Sequence, residues 1–290
     1  LANKIELNAE IIPTDWRQGA DPNAIKTRLE KDVDHLIKAV CVVHNETSTG
    51  VVSDIKAIRA VINQTNHPAL LMVDTISSLA SLDYRHDEWG VDVTVAGSQK
   101  GLMLPPGLSF NAISAKALQA SKQSMLPNAY WDWDDILASN KEGQFPYTPS
   151  TNLLYGLKTA LDMLLEEGLE NVFSRHLRLA EAARCAVRAW GLEILCQNAD
   201  RYSNSLTAVL VPDGHDADQL RKIILDNFNM SLGNGLGQLS GKVFRIGHLG
   251  DLNELSLIGT LGGVEMGLKL AQIPHKRGGA QAAIDFLAAS

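Results

Sequence analysis

The sequence predicts an α/β fold: a larger part built on a mostly parallel β-sheet, and a smaller α/β part at the carboxyl end. Two observations predict it. Short, nearly continuous apolar runs alternate with amphipathic helical patterns, which is typical of strands buried on both faces of a parallel sheet. A second alternation of strands and helices follows one long helical stretch. We therefore divide the 290 residues into a large domain over 1–165 and a small domain over 166–290.

The first part contains four predicted strands and two predicted helices. The strands are expected at residues 37–45, 69–75, 91–98 and 107–114. A helix is expected over 53–65, with Ser53 or Asp54 at its N-cap and an apolar face formed by Ile55, Ile58, Val61 and Ile62. A further helix begins after the fourth strand, at residues 115–122.

The middle of the chain changes character. Residues 123–152 are rich in Pro, Asn, Trp and Tyr, which predicts a long ordered loop with a short helix. A helical pattern follows over 153–190, bent near Gly168. The second part then shows strands at 204–212 and 242–249, helices at 216–228 and 253–271, and a weakly helical tail.

Composition excludes several classes of protein. The net charge is -7 and no basic cluster is present, so nucleic acid and anionic membranes are poor partners. No apolar stretch reaches the roughly 18 residues of a membrane span. The three cysteines and eight histidines lack metal-ligand spacing, so we predict no metal site. We expect buried, reduced thiols and a cytoplasmic location.

Polar residues follow three of the predicted strands. The first strand leads into residues 44–50, the second ends at Asp74, and the third leads into Lys100. Ligands of open parallel sheets bind at the carboxyl ends of the strands. If these three strands are neighbours, Thr47, Asp74 and Lys100 point into one crevice.

These residue types suit one kind of cofactor. A partly desolvated lysine is a nucleophile toward carbonyls, and an aspartate beside it can hold a protonated ring nitrogen, which is the pair that pyridoxal phosphate requires. Each residue also has a structural interpretation: Lys100 as a surface charge, Asp74 as a helix N-cap, Thr47 as a loop hydrogen-bonding group. The three together favour the cofactor site.

Five motifs carry a specific resemblance. They are "HNETSTG" (44–50), "LLMVDTISS" (70–78), "AGSQKGLMLPPGL" (96–108), "FPYTPSTNLLYGL" (145–157) and "KVFRIGHLG" (242–250). In this order they resemble the class V, fold-type I aminotransferases that depend on pyridoxal 5′-phosphate, in particular the serine–glyoxylate and alanine–glyoxylate aminotransferases. The resemblance runs over essentially the whole chain.

The resemblance implies roles for several residues. Lys100 would bind the cofactor as a Schiff base and then move the proton of the substrate, while Asp74 would pair with the pyridinium nitrogen. Thr47 would bind the side of the cofactor that carries the ring hydroxyl, Ile76 would pack on the ring, and Gln99 would contact the phosphate. Arg245 would bind the α-carboxylate of the substrate through a bidentate fork.

The resemblance also implies a homodimer. Thr148, with Tyr147 or Phe145 beside it, would reach the cofactor phosphate of the neighbouring subunit. The substrates would be small: L-serine or L-alanine as amino donor, which the sequence does not distinguish, and glyoxylate as acceptor.

Several alternatives to an active serine–glyoxylate or alanine–glyoxylate aminotransferase stay open. Members of this family carry about a hundred further residues ahead of the position where this chain begins, including a glycine-rich phosphate-binding turn and an aromatic stacked on the ring, so a truncated, inactive chain is one alternative. Ureidoglycine transamination and cysteine desulfuration are the others.

The glycine-rich stretch 231–242 does not match a P-loop, and we interpret Gly233, Gly235 and Gly237 as a turn near the substrate entrance. The segment "WDWDD" (131–135) predicts a helix start and an interface patch.

Overall fold

A computed structural model of the chain describes residues 2–5 and 7–290. Up to residue 121 it contains a 3₁₀ turn (Ala2–Ile5) and the elements α1 (Pro22–Glu30), β1 (Ala39–Val43), β2 (Asn45–Glu46), β3 (Val51–Val52), α2 (Ile55–Gln64), β4 (Leu70–Asp74), β5 (Val93–Gly97), β6 (Ser109–Ile113) and α3 (Ala115–Ser121). The elements that follow are α4 (Trp133–Lys141), α5 (Thr151–Glu167), α6 (Leu169–Trp190), β7 (Glu193–Ile194), β8 (Leu206–Leu210), α7 (Ala217–Phe228), β9 (Gly233–Asn234), β10 (Val243–Gly247), α8 (Glu254–Leu270) and α9 (Gly279–Ala289).

The first sheet has the strand order β1-β4-β5-β6. The first three strands are parallel, and β6 runs antiparallel to β5. The α/β prediction with a mostly parallel sheet is therefore confirmed. This order also makes β1, β4 and β5 neighbours, as the crevice hypothesis requires.

The prediction that these strands are buried on both faces is wrong for the two outer ones. Cys41 and Val43 of β1 are exposed, as are Ser109, Asn111 and Ala112 of β6. Side chains alternate between the two faces of a sheet: Val42 of β1 packs with the residues of helix α2, whereas Cys41 and Val43 lie on the opposite face. The expectation of buried thiols is therefore wrong for Cys41; Cys185 is half-buried and Cys196 is buried.

Helix α2 packs on one face of the first sheet. Its side chains Ile55, Ile58 and Ile62 are almost fully buried. They form one apolar cluster with Leu71 and Val73 of β4 and with the buried side chains of helix α1. The Asp54 carboxylate caps the helix by accepting a hydrogen bond of 2.8 Å from the backbone N–H of Ala57. The predicted buried face and cap are both confirmed.

Helices α5 and α6 meet at Gly168, where the sequence predicted a bend. Gly168 has φ 83°, in the left-handed region that favours glycine. Across this break Arg175 donates hydrogen bonds of 2.7 and 2.9 Å to the two carboxylate oxygens of Glu167. The fork fixes the start of α6 against the last residue of α5.

The second sheet is antiparallel throughout, in the order β7-β8-β10-β9. Helices α6, α7, α8 and α9 cover one core, whose members include Trp190, Leu220, Phe244 and Leu261. Helix α8 approaches α7 closely at Gly267: a Cβ at that position would lie 2.2 Å from Cγ1 of Ile224. This core belongs to the second part of the chain alone.

A third cluster joins the two parts. Ala80 and Leu102 pack with Leu164 and Val172, which lie on either side of the predicted boundary at 165/166. The position of that boundary stays a prediction. Among residues 2–5 and 7–290, no helix combines the length and the apolarity that a membrane span needs.

Candidate active site

Backbone hydrogen bonds hold the carboxyl ends of the three parallel strands together. The N–H of His44 donates 2.9 Å to the carbonyl of Asp74, and the N–H of Thr75 donates 2.8 Å to the carbonyl of Val95. The segments that leave β1, β4 and β5 therefore begin side by side. These segments carry Thr47, Asp74 and Lys100.

A tight turn presents Lys100. Ser98 stabilises it, because its Oγ donates 2.8 Å to the carbonyl of Pro105 and accepts 3.2 Å from the N–H of Leu108. Gly101 allows the close approach of this turn to the segment after β4: a Cβ there would lie 2.1 Å from the carbonyl oxygen of Leu79. A larger residue would push the turn away from β4.

The amine of Lys100 is half-buried and free. Within the described ranges it has no hydrogen-bond or ion-pair partner, whereas the exposed Lys158 pairs with Asp162 at 2.6 Å. A half-buried amine without a partner at the carboxyl edge of a sheet is available to bind a ligand.

Among the described residues no helix directly follows Asp74, so its interpretation as a helix N-cap is wrong, and the carboxylate instead orders a turn. Its Oδ1 accepts a hydrogen bond of 2.8 Å from the N–H of Ile76, which fixes the turn after β4 as a cap does. Its other carboxylate oxygen has no partner in the part of the chain that the structure describes. One oxygen therefore orients the carboxylate, and the other remains for a cationic group.

The hairpin formed by β2 and β3 holds Thr47. Its turn contains Gly50, whose N–H donates 2.9 Å to the carbonyl of Glu46 and whose φ is 68°. The Thr47 hydroxyl forms a short hydrogen bond with the hydroxyl of Ser77. Ser77 was not predicted as a site residue, although the run "TISS" after Asp74 places several hydroxyl groups there.

Arg245 reaches this hairpin from the second sheet. It lies in β10; its Nη1 donates 2.7 Å to the carbonyl of Thr47, and its Nε donates 2.8 Å to the carbonyl of Asn234. Arginine has five N–H donors, so three have no partner among the described residues, two of them on Nη2. Burial, and then the positive charge of Arg221, lower the pKa of Arg245, while Glu46 opposes them.

Gly233 makes room for the guanidinium group. It pairs with Arg245 across β9 and β10, and a Cβ at this position would lie 3.0 Å from Cβ and 3.1 Å from Nε of Arg245. The interpretation of Gly233 as part of a turn is corrected, because it lies in a short strand. Gly235 and Gly237 follow that strand.

The remaining predicted site residues are half-buried or exposed, and they lie on three different segments. Ile76 is half-buried directly after β4, and Gln99 is exposed before Lys100 with its amide against Gly97. Tyr147 and Thr148 lie on an exposed segment ahead of α5. There Tyr147 stacks on Tyr130 with ring centroids 4.8 Å apart.

The site fits pyridoxal phosphate by its chemistry. It offers an unpaired amine for the aldehyde, an oriented carboxylate oxygen for the ring nitrogen, and a guanidinium with three free N–H groups for a carboxylate. In residues 2–5 and 7–290 no cluster of His, Cys, Asp or Glu is suited to a metal ion.

A cleft of about 510 Å³ lies elsewhere, at the amino end of β5, with Arg59, Asp92 and Lys116 among its lining residues. Its charged groups bind one another, since the Asp92 carboxylate lies 3.3 Å from Arg59 and 3.8 Å from Lys116. Asp92 also accepts hydrogen bonds from the N–H of Leu71 and the hydroxyl of Ser114. We assign these groups a structural role.

Comparison with known proteins identifies the family of the chain. The family described as "Aminotransferase class-V" matches residues 1–246. Serine–glyoxylate aminotransferase of Arabidopsis thaliana is 49% identical over 281 residues, 97% of this chain and 70% of that protein. L-aspartate–glyoxylate aminotransferase of Paracoccus denitrificans is 43% identical over 277 residues, 96% of this chain and 70% of that protein.

A solved structure has the same fold. Pyridoxamine–pyruvate aminotransferase from Mesorhizobium loti matches with a TM-score of 0.88 at 31% identity, covering 96% of this chain and 71% of that one. The chain thus shares its architecture, over nearly its whole length, with proteins whose names specify amino-group transfer.

Proposed function

We propose that this chain, which belongs to the aminotransferase class-V family, transfers the amino group of L-serine to glyoxylate, giving glycine and hydroxypyruvate. It is an aminotransferase with the fold-type I architecture, and its cofactor is pyridoxal 5′-phosphate. The identities of the donor and the acceptor are the proposal. One observation carries the assignment of the site: Arg245 extends from the second sheet to Thr47, beside the strand ends that carry Asp74 and Lys100.

When bound, pyridoxal phosphate withdraws electrons from the α-carbon of an attached amino acid, so that this carbon can lose a proton. We assign Lys100 two tasks. Its amine holds the cofactor, and in its free form Nζ accepts and returns a proton. Its half-buried position without a partner supports both tasks, because the amine need not break an ion pair first.

Asp74 holds the ring end of the cofactor. Its carboxylate is oriented by the N–H of Ile76 and offers its second oxygen to a protonated nitrogen. A carboxylate beside a ring nitrogen favours the protonated, electron-withdrawing ring. Asp74 thereby supports the proton transfer at the α-carbon without touching the substrate.

Arg245 binds the α-carboxylate of the substrate. Two of its N–H groups are held by the backbone carbonyls of Thr47 and Asn234, which fixes the plane of the guanidinium before a substrate arrives. The free N–H groups on Nη1 and Nη2 present a fork that matches two carboxylate oxygens. Partial burial strengthens this charge-assisted interaction.

Three further residues would hold the cofactor from the sides. We assign the Thr47 hydroxyl to the hydroxyl side of the ring, Ile76 to the ring face, and Gln99 to the phosphate. The hydrogen bond of Thr47 to Ser77 in the turn after Asp74, the hydrogen bond of Ile76 to Asp74, and the position of Gln99 next to Lys100 support these roles.

We also propose a homodimer in which Thr148, with Tyr147 beside it, reaches the cofactor phosphate of the other subunit. The support is an exposed group of large apolar side chains around this segment: Met125, Tyr130, Trp131, Phe145, Tyr147 and Tyr155. A patch of this kind marks an interaction surface. Trp131→Asp would shift the protein toward monomer in sedimentation, whereas Leu255→Asp, at an equally exposed leucine of α8, would not.

The identity of the amino donor distinguishes this proposal from most of its alternatives. L-alanine and L-aspartate are the competing donors, the second because of the name of the Paracoccus denitrificans relative. Ureidoglycine transamination is a further alternative. Cysteine desulfuration is disfavoured, because Cys196 is buried and Cys41 lies within strand β1, outside the loops that carry the site. A cytoplasmic location is part of the proposal.

The test is a donor comparison at a fixed glyoxylate concentration. Glycine formation would be measured with L-serine, L-alanine, L-aspartate and ureidoglycine, and kcat/KM compared. The proposal expects L-serine to give the highest value, with hydroxypyruvate as the second product. A higher kcat/KM for any other donor overturns the choice of serine, and no glycine from any of them overturns glyoxylate as acceptor.

A further inference from the structure

Both polar backbone groups of Gly250 are held by consecutive residues of helix α6. The N–H of Gly250 donates 3.0 Å to Nε2 of His176, and its carbonyl accepts 2.8 Å from Nη1 of Arg175. Gly250 is buried and has φ 82°, a conformation that favours glycine. It lies in the loop that leaves β10, the strand that carries Arg245.

The hydrogen bonds of His176 fix its tautomer. Its Nδ1 lies 2.7 Å from the carbonyl of Val172 and must donate, so Nε2 carries no proton and accepts from Gly250. The ring is fully buried, and this burial lowers the pKa of His176. The neutral form that the contact requires is therefore the stable one.

Arg175 is anchored on its other side to Glu167. Its Nε and Nη2 bind the two oxygens of that carboxylate, and Nη1 remains for Gly250. The hydrogen bonds from Arg175 hold the pKa of Glu167 below its usual range. Because Glu167 ends α5 and Gly168 breaks the helix, the loop after β10 is tied to the junction of α5 and α6.

The same junction supports the turn that carries Lys100. Met103, whose N–H donates 2.9 Å to the carbonyl of Lys100, lies next to Gly250: a Cβ on Gly250 would be 3.5 Å from its Cγ. Leu102 packs in one cluster with Leu164 of α5 and Val172 of α6. The lysine turn and the loop after β10 therefore rest on one support.

We propose that Arg175 and His176 are positioning residues, which fix the amine of Lys100 relative to the guanidinium of Arg245 by holding Gly250. This inference rests on the proposed function, in which both groups act on one substrate. A displacement of about 1 Å between reacting groups can cost roughly 100-fold in rate. Arg175 and His176 touch neither substrate nor cofactor.

The first test measures backbone hydrogen exchange by mass spectrometry on the 290-residue chain. In Arg175→Met, peptides covering 98–104 and 246–252 should both exchange roughly tenfold faster, as the loss of one charge-assisted hydrogen bond implies. Arg178→Met is the matched control, because Arg178 lies on the same helix, is similarly exposed, and binds Glu254 and the carbonyl of Leu287 instead. Faster exchange in only one of the two peptides, or an equal effect in the control, overturns the proposal.

The second test uses His176. A glutamine places an amide oxygen near the position of Nε2, so His176→Gln should keep the slow exchange of both peptides, and His176→Leu should lose it. If His176→Leu does not fold, His176→Gln and Arg175→Met still test whether the contacts with Gly250 slow the exchange of both peptides. Fast exchange in His176→Gln would contradict the role of Nε2 as hydrogen-bond acceptor.

A kinetic measurement completes the test. Arg175→Met should lower kcat/KM for L-serine by roughly tenfold or more when pyridoxal phosphate is present at a saturating concentration. An unchanged kcat/KM overturns the inference and leaves the proposed function intact. An inactive wild-type chain overturns the proposed function, and the exchange measurement still reports on the support itself.

Discussion

The guanidinium of Arg245 donates a hydrogen bond of 2.7 Å to the carbonyl of Thr47, a residue 198 positions earlier in the chain. This contact joins the second sheet to the hairpin that follows β1. Together with the hydrogen bond from Nε to the carbonyl of Asn234, it fixes the plane of the guanidinium. The proposed site thus contains residues from both parts of the chain. Substitutions in each part can therefore be tested separately.

Replacing Arg245 should weaken binding of carboxylate substrates. Arg245→Ala removes the fork, and a charge-assisted hydrogen bond of this kind contributes about 1.5–3 kcal/mol, so KM for L-serine should rise roughly 10- to 100-fold. Arg245→Lys keeps the charge and loses the fork, so it should recover only part of the loss. A KM equal to that of the wild type in Arg245→Ala would show that this residue does not bind the carboxylate.

Gly233 provides a finer test of the same group. In Gly233→Ala the new methyl would press on Nε and Cβ of Arg245, so the guanidinium has to move by a few tenths of an ångström. We expect a higher KM for L-serine, smaller in effect than that of Arg245→Ala, and an almost unchanged melting temperature. A large loss of stability with unchanged KM would instead assign Gly233 a purely structural role.

Three buried histidines should make the chain sensitive to mild acid. Burial lowers the pKa of His44 to about 4 and of His248 to about 3, and it lowers that of His176 as well. The unfolded chain binds protons at these positions below about pH 6.5, and the folded chain does not. The neutral buried histidines therefore stabilise the fold fully above that pH. As the pH falls below it, the free energy of unfolding decreases by up to about 1.4 kcal/mol per pH unit for each histidine.

The measurement is urea unfolding between about pH 7 and pH 5, a range above the ordinary carboxyl pKa values. The free energy of unfolding should fall with pH, and His248→Asn should flatten part of the slope. His215→Asn, at a histidine for which burial is only partial, is the control and should leave the slope unchanged. Stability that does not vary over this range would contradict the neutral state of the buried rings.

Two glycines in α8 should respond oppositely to alanine. Gly267→Ala would place a methyl 2.2 Å from Cγ1 of the buried Ile224, and overpacking of this kind costs about 1–3 kcal/mol. Gly259 is exposed in the same helix with no atom near its missing Cβ, so Gly259→Ala should add about 0.5–1 kcal/mol. Chemical denaturation measures both, and an equal response would contradict the close packing of α7 on α8.

Sequence periodicity predicted those helices and strands whose buried face can be identified from their own residues. Helix α2 is an example, because its apolar face and its Asp54 cap are local features. Helix α1 was not predicted, although Asp21 followed by Pro22 is a helix-start signal. The exposure of Cys41 could not be predicted, because it depends on which face of β1 the helices cover.

The candidate site divides in the same way. Lys100, Asp74 and Thr47 could be grouped from the sequence, because the carboxyl ends of parallel strands meet at one edge. The contacts of Arg245 with Thr47 and of Gly250 with His176 join residues far apart in the chain, and no spacing rule reports such contacts. The first contact joins the second sheet to the hairpin after β1, and the second joins the loop after β10 to helix α6, so both depend on tertiary packing.

The most direct test of the central claim is the visible absorbance of the purified chain after addition of pyridoxal phosphate, compared with Lys100→Ala. The account predicts a cofactor band that survives dialysis in the wild type, shifts on addition of L-serine and returns with glyoxylate, and is absent from the variant. A band of equal strength in Lys100→Ala, or a wild-type band that L-serine leaves unchanged, would contradict the assignment of Lys100 as the residue that holds the cofactor for amino transfer.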